Sequence, residues 1–334
     1  MTPLRVAVVG LNERVGRQVL PALAASPRAR LVAVGSRDLA KAERFAEPYA
    51  GCRPFGSYAE LLRDDGVDAV FVMTPAEQHA EMSLAALEAG RDVMCEKPLA
   101  TTLAEARAML RAAEARGRRT AVNFTYRSVT ALRLLARALT EVNLGDLVEI
   151  EVAYRQGRGL LRPPRGAHVL LELGSHALDA LLWWCDLAGA GEPRRALGVA
   201  AGGSPPLAFS ALLELDGGAV ASLQATRVAL GFSNAIVARL NGRSGALALQ
   251  FDTEGFELSH FSAAEPSVRT PIAVPEELKL PYDQFPRFHW DRIVGALRGE
   301  ERFPGFRQGM RVQAVIEAAL ASAASGRREA IAAD

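Results

Sequence analysis

The chain has 334 residues, 49% of them apolar, and its 39 basic and 38 acidic side chains leave a net charge of +1. That length exceeds what one core usually holds, so two domains are expected, and the balanced charge leaves no electrostatic footprint for nucleic acid. No apolar run reaches membrane-span length, no leader precedes the first strand, and the cysteines Cys52, Cys95 and Cys185 scatter without metal-ligand spacing, as in a soluble protein of a reducing, cytoplasmic compartment.

Leu4–Val9 is a continuous β-prone apolar run, as expected of a strand buried on both faces of a parallel sheet. It leads into Gly10-Leu11-Asn12-Glu13-Arg14-Val15-Gly16 and then helix-like sequence to about Ala25. Such a strand, glycine turn and helix can hold a dinucleotide pyrophosphate on backbone N–H groups at the helix N-terminus. The pattern departs from G-x-G-x-x-G: Asn12 stands at the second glycine, and one extra residue precedes Gly16. Asparagine tolerates positive φ better than most residues, and Arg14 can add a cation near the phosphates. An ordinary strand–helix turn is the alternative.

A second strand, Leu31–Val34, ends at Gly35-Ser36-Arg37. Ser36 falls where an acidic residue accepts hydrogen bonds from the NAD ribose, about twenty residues past the glycine turn. A small hydroxyl followed by a guanidinium suits a 2′-phosphate instead, which favours NADP(H) over a mere solvated turn. Helix-like Asp38–Tyr49 and Ser57–Arg63 follow, then a buried strand, Val67–Met73, running into Thr74-Pro75-Ala76-Glu77-Gln78-His79. Glu81–Ala89 reads as a helix stopped by Gly90, and Asp92–Cys95 as a strand closing on Glu96-Lys97-Pro98, where proline fixes the turn. Helix Leu103–Arg116, closed by Gly117, precedes strand Thr120–Phe124. This alternation predicts a doubly wound parallel sheet, whose ligands gather at the carboxyl ends of strands, where Gly10, Ser36, Thr74 and Glu96-Lys97 all stand.

Beyond helix Ala131–Leu139, the segments Leu147–Tyr154, Leu197–Ala201, Phe209–Leu215, Val220–Val228, Ala235–Leu240 and Ala246–Phe251 read as strands. The turns Asp216-Gly217-Gly218 and Asn241-Gly242-Arg243-Ser244-Gly245 join them into a meander of antiparallel pairs. Trp183, Trp184 and Leu181–Leu187 read as packing beneath that sheet. Arg155, Arg158, Arg162 and Arg165 crowd one loop, either as a clamp for an anionic or nucleotide-linked substrate or as a solvated loop. Glu172, His176 and Asp179 fall at i, i+4 and i+7, which places them on one face of a helix. A cation at a strand end, Lys97, and this acid–histidine–acid ridge could meet across a cleft and handle a proton there. His79, His260 and His289 show no metal spacing, and His168 reads as an ordinary loop histidine.

Thr74-Pro75 with His79, then Cys95-Glu96-Lys97-Pro98-Leu99-Ala100, then Glu172-x-Gly174-x-His176-x-x-Asp179, resembles the glucose–fructose oxidoreductase/inositol dehydrogenase (Gfo/Idh/MocA) family. Phe124-Thr125-Tyr126-Arg127 matches the family's entry into its second domain, and Phe303 to Arg328, with Gly309, its closing segment. The resemblance implies an α/β chain. An N-terminal Rossmann domain (residues 1–121) would precede a C-terminal α+β domain (122–334) with an open, mainly antiparallel sheet used for homodimer or homotetramer assembly. It also implies hydride transfer between NAD(P) and a carbonyl or hydroxyl carbon of a sugar-like or polyol-like substrate. On this reading Lys97 and His176 are catalytic, supported by Glu172, where the family usually has Asp, and by Asp179. The cofactor falls to Gly10, Asn12, Arg14, Val15, Gly16, Ser36, Arg37, Thr74, Pro75, His79, Glu96 and Lys97, and substrate to Lys97, Tyr126, Arg127, Arg158 and His176. An imine or tetrapyrrole double-bond reductase of the same fold, and a sensor that binds NADP without turnover, remain the alternatives.

Overall fold

The computed structural model describes residues 2–157 and 168–333. The chain divides into two units, one of residues 1–128 and 280–313, the other of residues 129–279 and 314–334. The sequence reading set a single boundary after residue 121; the chain instead crosses later and returns to the first unit for 280–313.

In the first unit six strands form one sheet: β1 (Leu4–Val9), β2 (Ala29–Gly35), β3 (Arg53–Phe55), β4 (Ala69–Val72), β5 (Asp92–Cys95) and β6 (Thr120–Val122). Their order is β3-β2-β1-β4-β5-β6, and every pair is parallel. This is the Rossmann order, in which the chain winds one way from β1 and the other way from β4, leaving a crevice at the carboxyl ends between them. The connections run through α1 (Leu20–Ala24), α2 (Leu39–Ala46), α3 (Tyr58–Leu62), α4 (His79–Glu88) and α5 (Leu103–Ala115). Helices cover both faces, which is why β4 and the buried stretches Val6–Val9 of β1 and Val93–Cys95 of β5 are unbroken apolar runs. The first helix departs from the regular one expected, because Val15–Val19 is π-helical before α1 begins.

A helix from far along the chain, Phe285–Leu297 (α8), completes this core by burying Trp290, Ile293, Val294 and Leu297 against Val6, Val19, Leu20, Leu23 and Phe71. The Phe71 and Trp290 rings stand 5.8 Å apart. Each such side chain contributes about 1.5–3 kcal/mol by leaving water, and truncating Trp290 to alanine would cost about 3–5 kcal/mol.

The second unit carries β7 (Leu147–Arg155), β8 (Pro193–Ala201), β9 (Ala208–Leu215), β10 (Val220–Thr226), β11 (Ala235–Gly242), β12 (Gly245–Asp252), β13 (Gly255–Ser262), β14 (Thr270–Pro271) and β15 (Glu329–Ala330). Their order is β14-β13-β12-β11-β7-β10-β9-β8-β15. The expected antiparallel meander holds for β8–β10 and again for β11–β13. Between these runs, however, β7 inserts as the central strand, parallel to β10 and antiparallel to β11. Helices α6 (Thr130–Glu141) and α7 (Ser175–Ala188) pack on one face, α7 on β7 and α6 on β12 and β13. Trp184 is fully buried there, whereas Trp183 is half-buried and Leu187 is exposed rather than packed. The other face exposes Val199 (63%), Leu212 (57%) and Val220 (50%), which the pairing register places on the same side. A last helix, α9 (Phe306–Ser325), belongs to the first unit up to Gln313 and to the second from Ala314. Among the described residues, no helix is long and apolar enough to cross a membrane.

Candidate active site

A cavity of about 770 Å³ opens where the strands of the first unit end. Gly10, Asn12 and Arg14 line it after β1, Ser36, Arg37 and Asp38 after β2, Thr74, Pro75 and His79 after β4, and Glu96 and Lys97 after β5. Ten of the residues that the sequence assigned to a cofactor therefore share one cavity. Gly10 has φ +86°, and a Cβ there would lie 2.4 Å from the Met73 carbonyl carbon and the Thr74 nitrogen. Only glycine lets β1 and β4 approach so closely at the cavity floor.

Asn12 works differently from expectation. Among the described residues, no residue other than glycine has positive φ. The Asn12 side chain instead caps the helix: Oδ1 accepts the Val15 N–H at 3.0 Å, and the Asn12 carbonyl accepts the Gly16 N–H at 3.0 Å. Those two donors are thus engaged, and neither Val15 nor Gly16 lines the cavity. Val15 is core, and Gly16 gives room to the Phe45 ring, 2.8 Å from where a Cβ would stand. Arg14, read as a cation for phosphates, forms an ion pair with the buried Glu96.

The wall after β2 contains groups that the sequence reading passed over. The Asp38 N–H donates to Ser36 Oγ at 3.2 Å, and the Asp38 carboxylate accepts the Lys41 N–H at 3.1 Å, capping α2. A carboxylate does stand near the ribose end, then, but as a helix cap. Lys41 and Tyr58 also line the cavity. The Asp38-x-x-Lys41 capping spacing was the available signal for Lys41, since it sets that residue in the first turn of α2. Among the described residues the buried hydroxyl of Thr74 has no hydrogen-bond partner, so a polar donor or acceptor is on offer at the wall.

His79 is 1% exposed, with Nδ1 2.8 Å from the Pro98 carbonyl oxygen and Nε2 2.9 Å from that of Thr74. A carbonyl oxygen can only accept, so both ring nitrogens donate and the ring is an imidazolium. Burial opposes that charge, but Cys95 and the two carbonyls outweigh it and lift the pKa to about 9. His79 thereby ties the turn after β4 to the turn carrying Lys97. The Lys97 N–H donates to Glu96 Oε2 at 3.1 Å.

In the second unit the regular helical spacing expected for Glu172 is not kept, because Leu170–Gly174 is π-helical and α7 begins at Ser175. Asp179 and His176 are buried on α7, and the His176 ring lies 6.2 Å from that of Tyr154 on β7. Glu172, at 37% side-chain exposure, forms an ion pair with Arg227, just past β10, a partner the sequence did not suggest. Burial pulls the Arg227 guanidinium below its ordinary value. Tyr154 donates to Asn234 Oδ1 at 2.6 Å, and Gln156 donates to the same oxygen at 2.6 Å. Of the remaining substrate candidates, Tyr126 and Arg127 stand on a 3-10 turn, Thr125–Ser128, of the first unit and do not line its cavity. Arg158, with Arg162 and Arg165, lies outside the described residues.

A doubly wound sheet in this strand order, with a glycine turn at its switch point, is the fold of NAD(P)-binding proteins. The model of the oxidoreductase family with an NAD-binding Rossmann fold matches residues 4–124, and that of the GFO/IDH/MocA C-terminal domain matches residues 132–248. The chain belongs to the GFO/IDH/MocA family of oxidoreductases. It is 34% identical to a dTDP-3,4-didehydro-2,6-dideoxy-α-D-glucose 3-reductase of Actinomadura kijaniata over 183 residues, 53% of this chain and 55% of that protein. It is 39% identical to a 1,5-anhydro-D-fructose reductase of Ensifer adhaerens over 132 residues, 37% of this chain and 40% of that one. The matches thus span about half or less of these curated relatives' length. The crystal structure of an oxidoreductase domain protein from Kribbella flavida superimposes with a TM-score of 0.85 at 27% identity, covering 100% of both chains.

Proposed function

We propose that the protein is an NADPH-dependent reductase, or the reverse dehydrogenase, acting on a carbonyl or hydroxyl carbon of a sugar-like or polyol-like substrate. The first unit binds the dinucleotide and also carries Lys97, Tyr126 and Arg127 for the substrate, while the second carries His176 and mediates assembly. What carries the reading is the cavity itself, where residues from four strand ends converge on a floor that excludes any Cβ at Gly10 and a wall with a Thr74 hydroxyl unpartnered among the described residues. Such a polar crevice at a switch point suits a dinucleotide. Gly10, Asn12 and Thr74 would hold it near the phosphates, and Pro75, His79 and Glu96 would shape the end that contains Lys97. Ser36, Arg37 and Lys41 would face a 2′-phosphate, with two cations there and the neighbouring acid, Asp38, engaged as the cap of α2, hence the preference for NADP(H).

The bound cofactor supplies or accepts the hydride. Lys97 polarises the substrate oxygen and stabilises negative charge as it develops there. His176 delivers or removes the proton, which an imidazole does well near neutral pH. Glu172 and Asp179 support His176, and the Glu172–Arg227 pair anchors the turn before α7 to the sheet. Tyr126, Arg127 and Arg158 are assigned to substrate. Both curated relatives named above are, by their names, sugar reductases, which supports the sugar-like class. The exposed Val199, Leu212 and Val220 favour a homodimer or homotetramer through that sheet face. The scatter of Cys52, Cys95 and Cys185 along the sequence, without metal-ligand spacing, supports a reducing, cytoplasmic setting.

A panel of keto-sugars, anhydro-sugars, cyclitols and nucleotide-linked keto-sugars, with NADPH consumption followed by absorbance, tests the reading. Turnover of at least one class is expected. Tight NADPH binding with no turnover of any would favour a sensor instead.

A further inference from the structure

His289 received no role from the sequence, yet it sits at the centre of a buried chain of hydrogen bonds that ends on the cavity. It projects from α8 and is 2% exposed, with Phe285, Trp290 and Phe303 ringed around it at 5.1–5.9 Å. Its Nδ1 lies 2.8 Å from Ser128 Oγ and its Nε2 lies 2.7 Å from Asn123 Oδ1. Asn123 Nδ2 in turn donates to Glu96 Oε1 at 2.7 Å. Glu96 lines the cavity, pairs with Arg14, and accepts the Lys97 N–H.

The direction of this chain is fixed at its Glu96 end. The Arg292 guanidinium, which can only donate, reaches Ser128 Oγ at 3.4 Å. The Glu96 carboxylate, which can only accept, stands at the other end. From that end the Asn123 amide donates to Glu96 and Nε2–H donates to the Asn123 carbonyl oxygen, whereas the Ser128 oxygen, with two lone pairs and one proton, can accept from Arg292 and still either donate to Nδ1 or accept from it. Turning the Asn123 carboxamide over would set its oxygen against a carboxylate and its amide against an N–H. Burial, with the Arg292 and Arg14 charges nearby, settles Nδ1: it holds the ring far below its usual value, at about 3, so the imidazole is neutral and Ser128 donates to it.

We propose that His289 is a positioning residue for the cofactor cavity: through Asn123 it fixes the Glu96 carboxylate, and through Glu96 it fixes Arg14 and the Lys97 backbone. The geometry of the relay stands on hydrogen-bond partners alone, while its consequence for binding rests on the proposed dinucleotide site. A cage of three aromatic rings and two polar neighbours leaves the imidazole one orientation, so Glu96 keeps its place without the cofactor. Preorganisation of this kind matters because a shift of about 1 Å at a reacting centre costs about a hundredfold in rate.

The relay is tested first by nitrogen-15 NMR of the histidine-labelled wild-type protein. The expected state is a neutral ring protonated at Nε2 from about pH 5 to 8. A ring protonated at Nδ1, or an imidazolium, overturns the proposal. Glu96→Gln, which gives the chain a donor at its far end, should move the His289 ring shifts, and unchanged shifts overturn the coupling. Fluorescence titration with NADPH then reads the consequence. His289→Gln, able to donate and accept, should stay within about threefold of wild type, whereas His289→Phe, able to do neither, should lose about tenfold or more. A His289→Phe protein that folds and binds NADPH as tightly as wild type refutes the positioning role. If wild type binds no NADPH, the functional reading fails, and the ring's tautomer and its response to Glu96→Gln still decide whether the relay exists.

Discussion

The imidazolium of His79 makes the stability of this protein pH-dependent in a calculable way. In the unfolded chain the ring titrates near its ordinary 6.5; in the folded protein it is held to about 9. Lifting a pKa by that amount is worth about 3 kcal/mol, a sizeable share of a domain's net stability. Because the folded value is the higher one, the contribution is fully present below about pH 6.5, declines as pH rises, and is nearly gone by about pH 9. Glutamine at this position has both its N–H donors on one nitrogen, so it cannot replace the two ring nitrogens that reach the two carbonyls, and it carries no charge; His79→Gln therefore removes the pH-dependent part. The assay is urea unfolding of wild type and His79→Gln in parallel from about pH 6 to 9.5. Wild type should be more stable by a few kcal/mol at the acid end, and the two curves should converge toward the alkaline end. Parallel curves would show that the ring is neutral in the fold and that the two-carbonyl argument is wrong.

Arg37→Ala should weaken NADPH binding about tenfold while leaving NADH binding nearly unchanged, by fluorescence titration; equal losses would show that Arg37 does not read a 2′-phosphate. Gly10→Ala forces a Cβ to 2.4 Å from backbone atoms at φ +86° and should cost about 2 kcal/mol or more, with NADPH affinity lost beyond the drop in thermal midpoint. A variant as stable and as tight as wild type would mean that the floor is not closed there. Light scattering should give a dimer or tetramer mass for wild type and a smaller one for Leu212→Arg; a wild-type monomer would rule out assembly through the exposed sheet face.

The first unit was largely legible because its information is local. Apolar runs such as Leu4–Val9 report burial on both faces, and Gly10, Ser36, Thr74 and Glu96 punctuate the strand ends that form the cavity. Long-range features were not. Nothing in Leu147–Arg155 says that it will lie between β10 and β11, since a strand's pattern gives its faces and not its neighbours. The three-residue β3 is too short to show a period, and α8 carries Pro286 and aromatic residues that blur its amphipathic stripe. The site divides in the same way. Asn12 was read for its backbone tolerance when its side chain caps a helix, and Asp38 was passed over because capping carboxylates look like surface charge. Arg227 beside Glu172, and His289 behind Glu96, are separated by 55 and 193 residues from the groups they serve. No local spacing could announce them.

Lys97 is where the account is most exposed to test, since it stands in the cavity and is assigned to the substrate oxygen. Lys97→Met keeps the length and apolar stem of the side chain and removes its charge. With any substrate found in the panel, this variant should lose about a hundred- to ten-thousandfold in kcat, while NADPH affinity from fluorescence titration changes by no more than about threefold. A Lys97→Met enzyme that turns over at the wild-type rate would contradict the assignment of the cavity as an active site, however well its residues suit a dinucleotide.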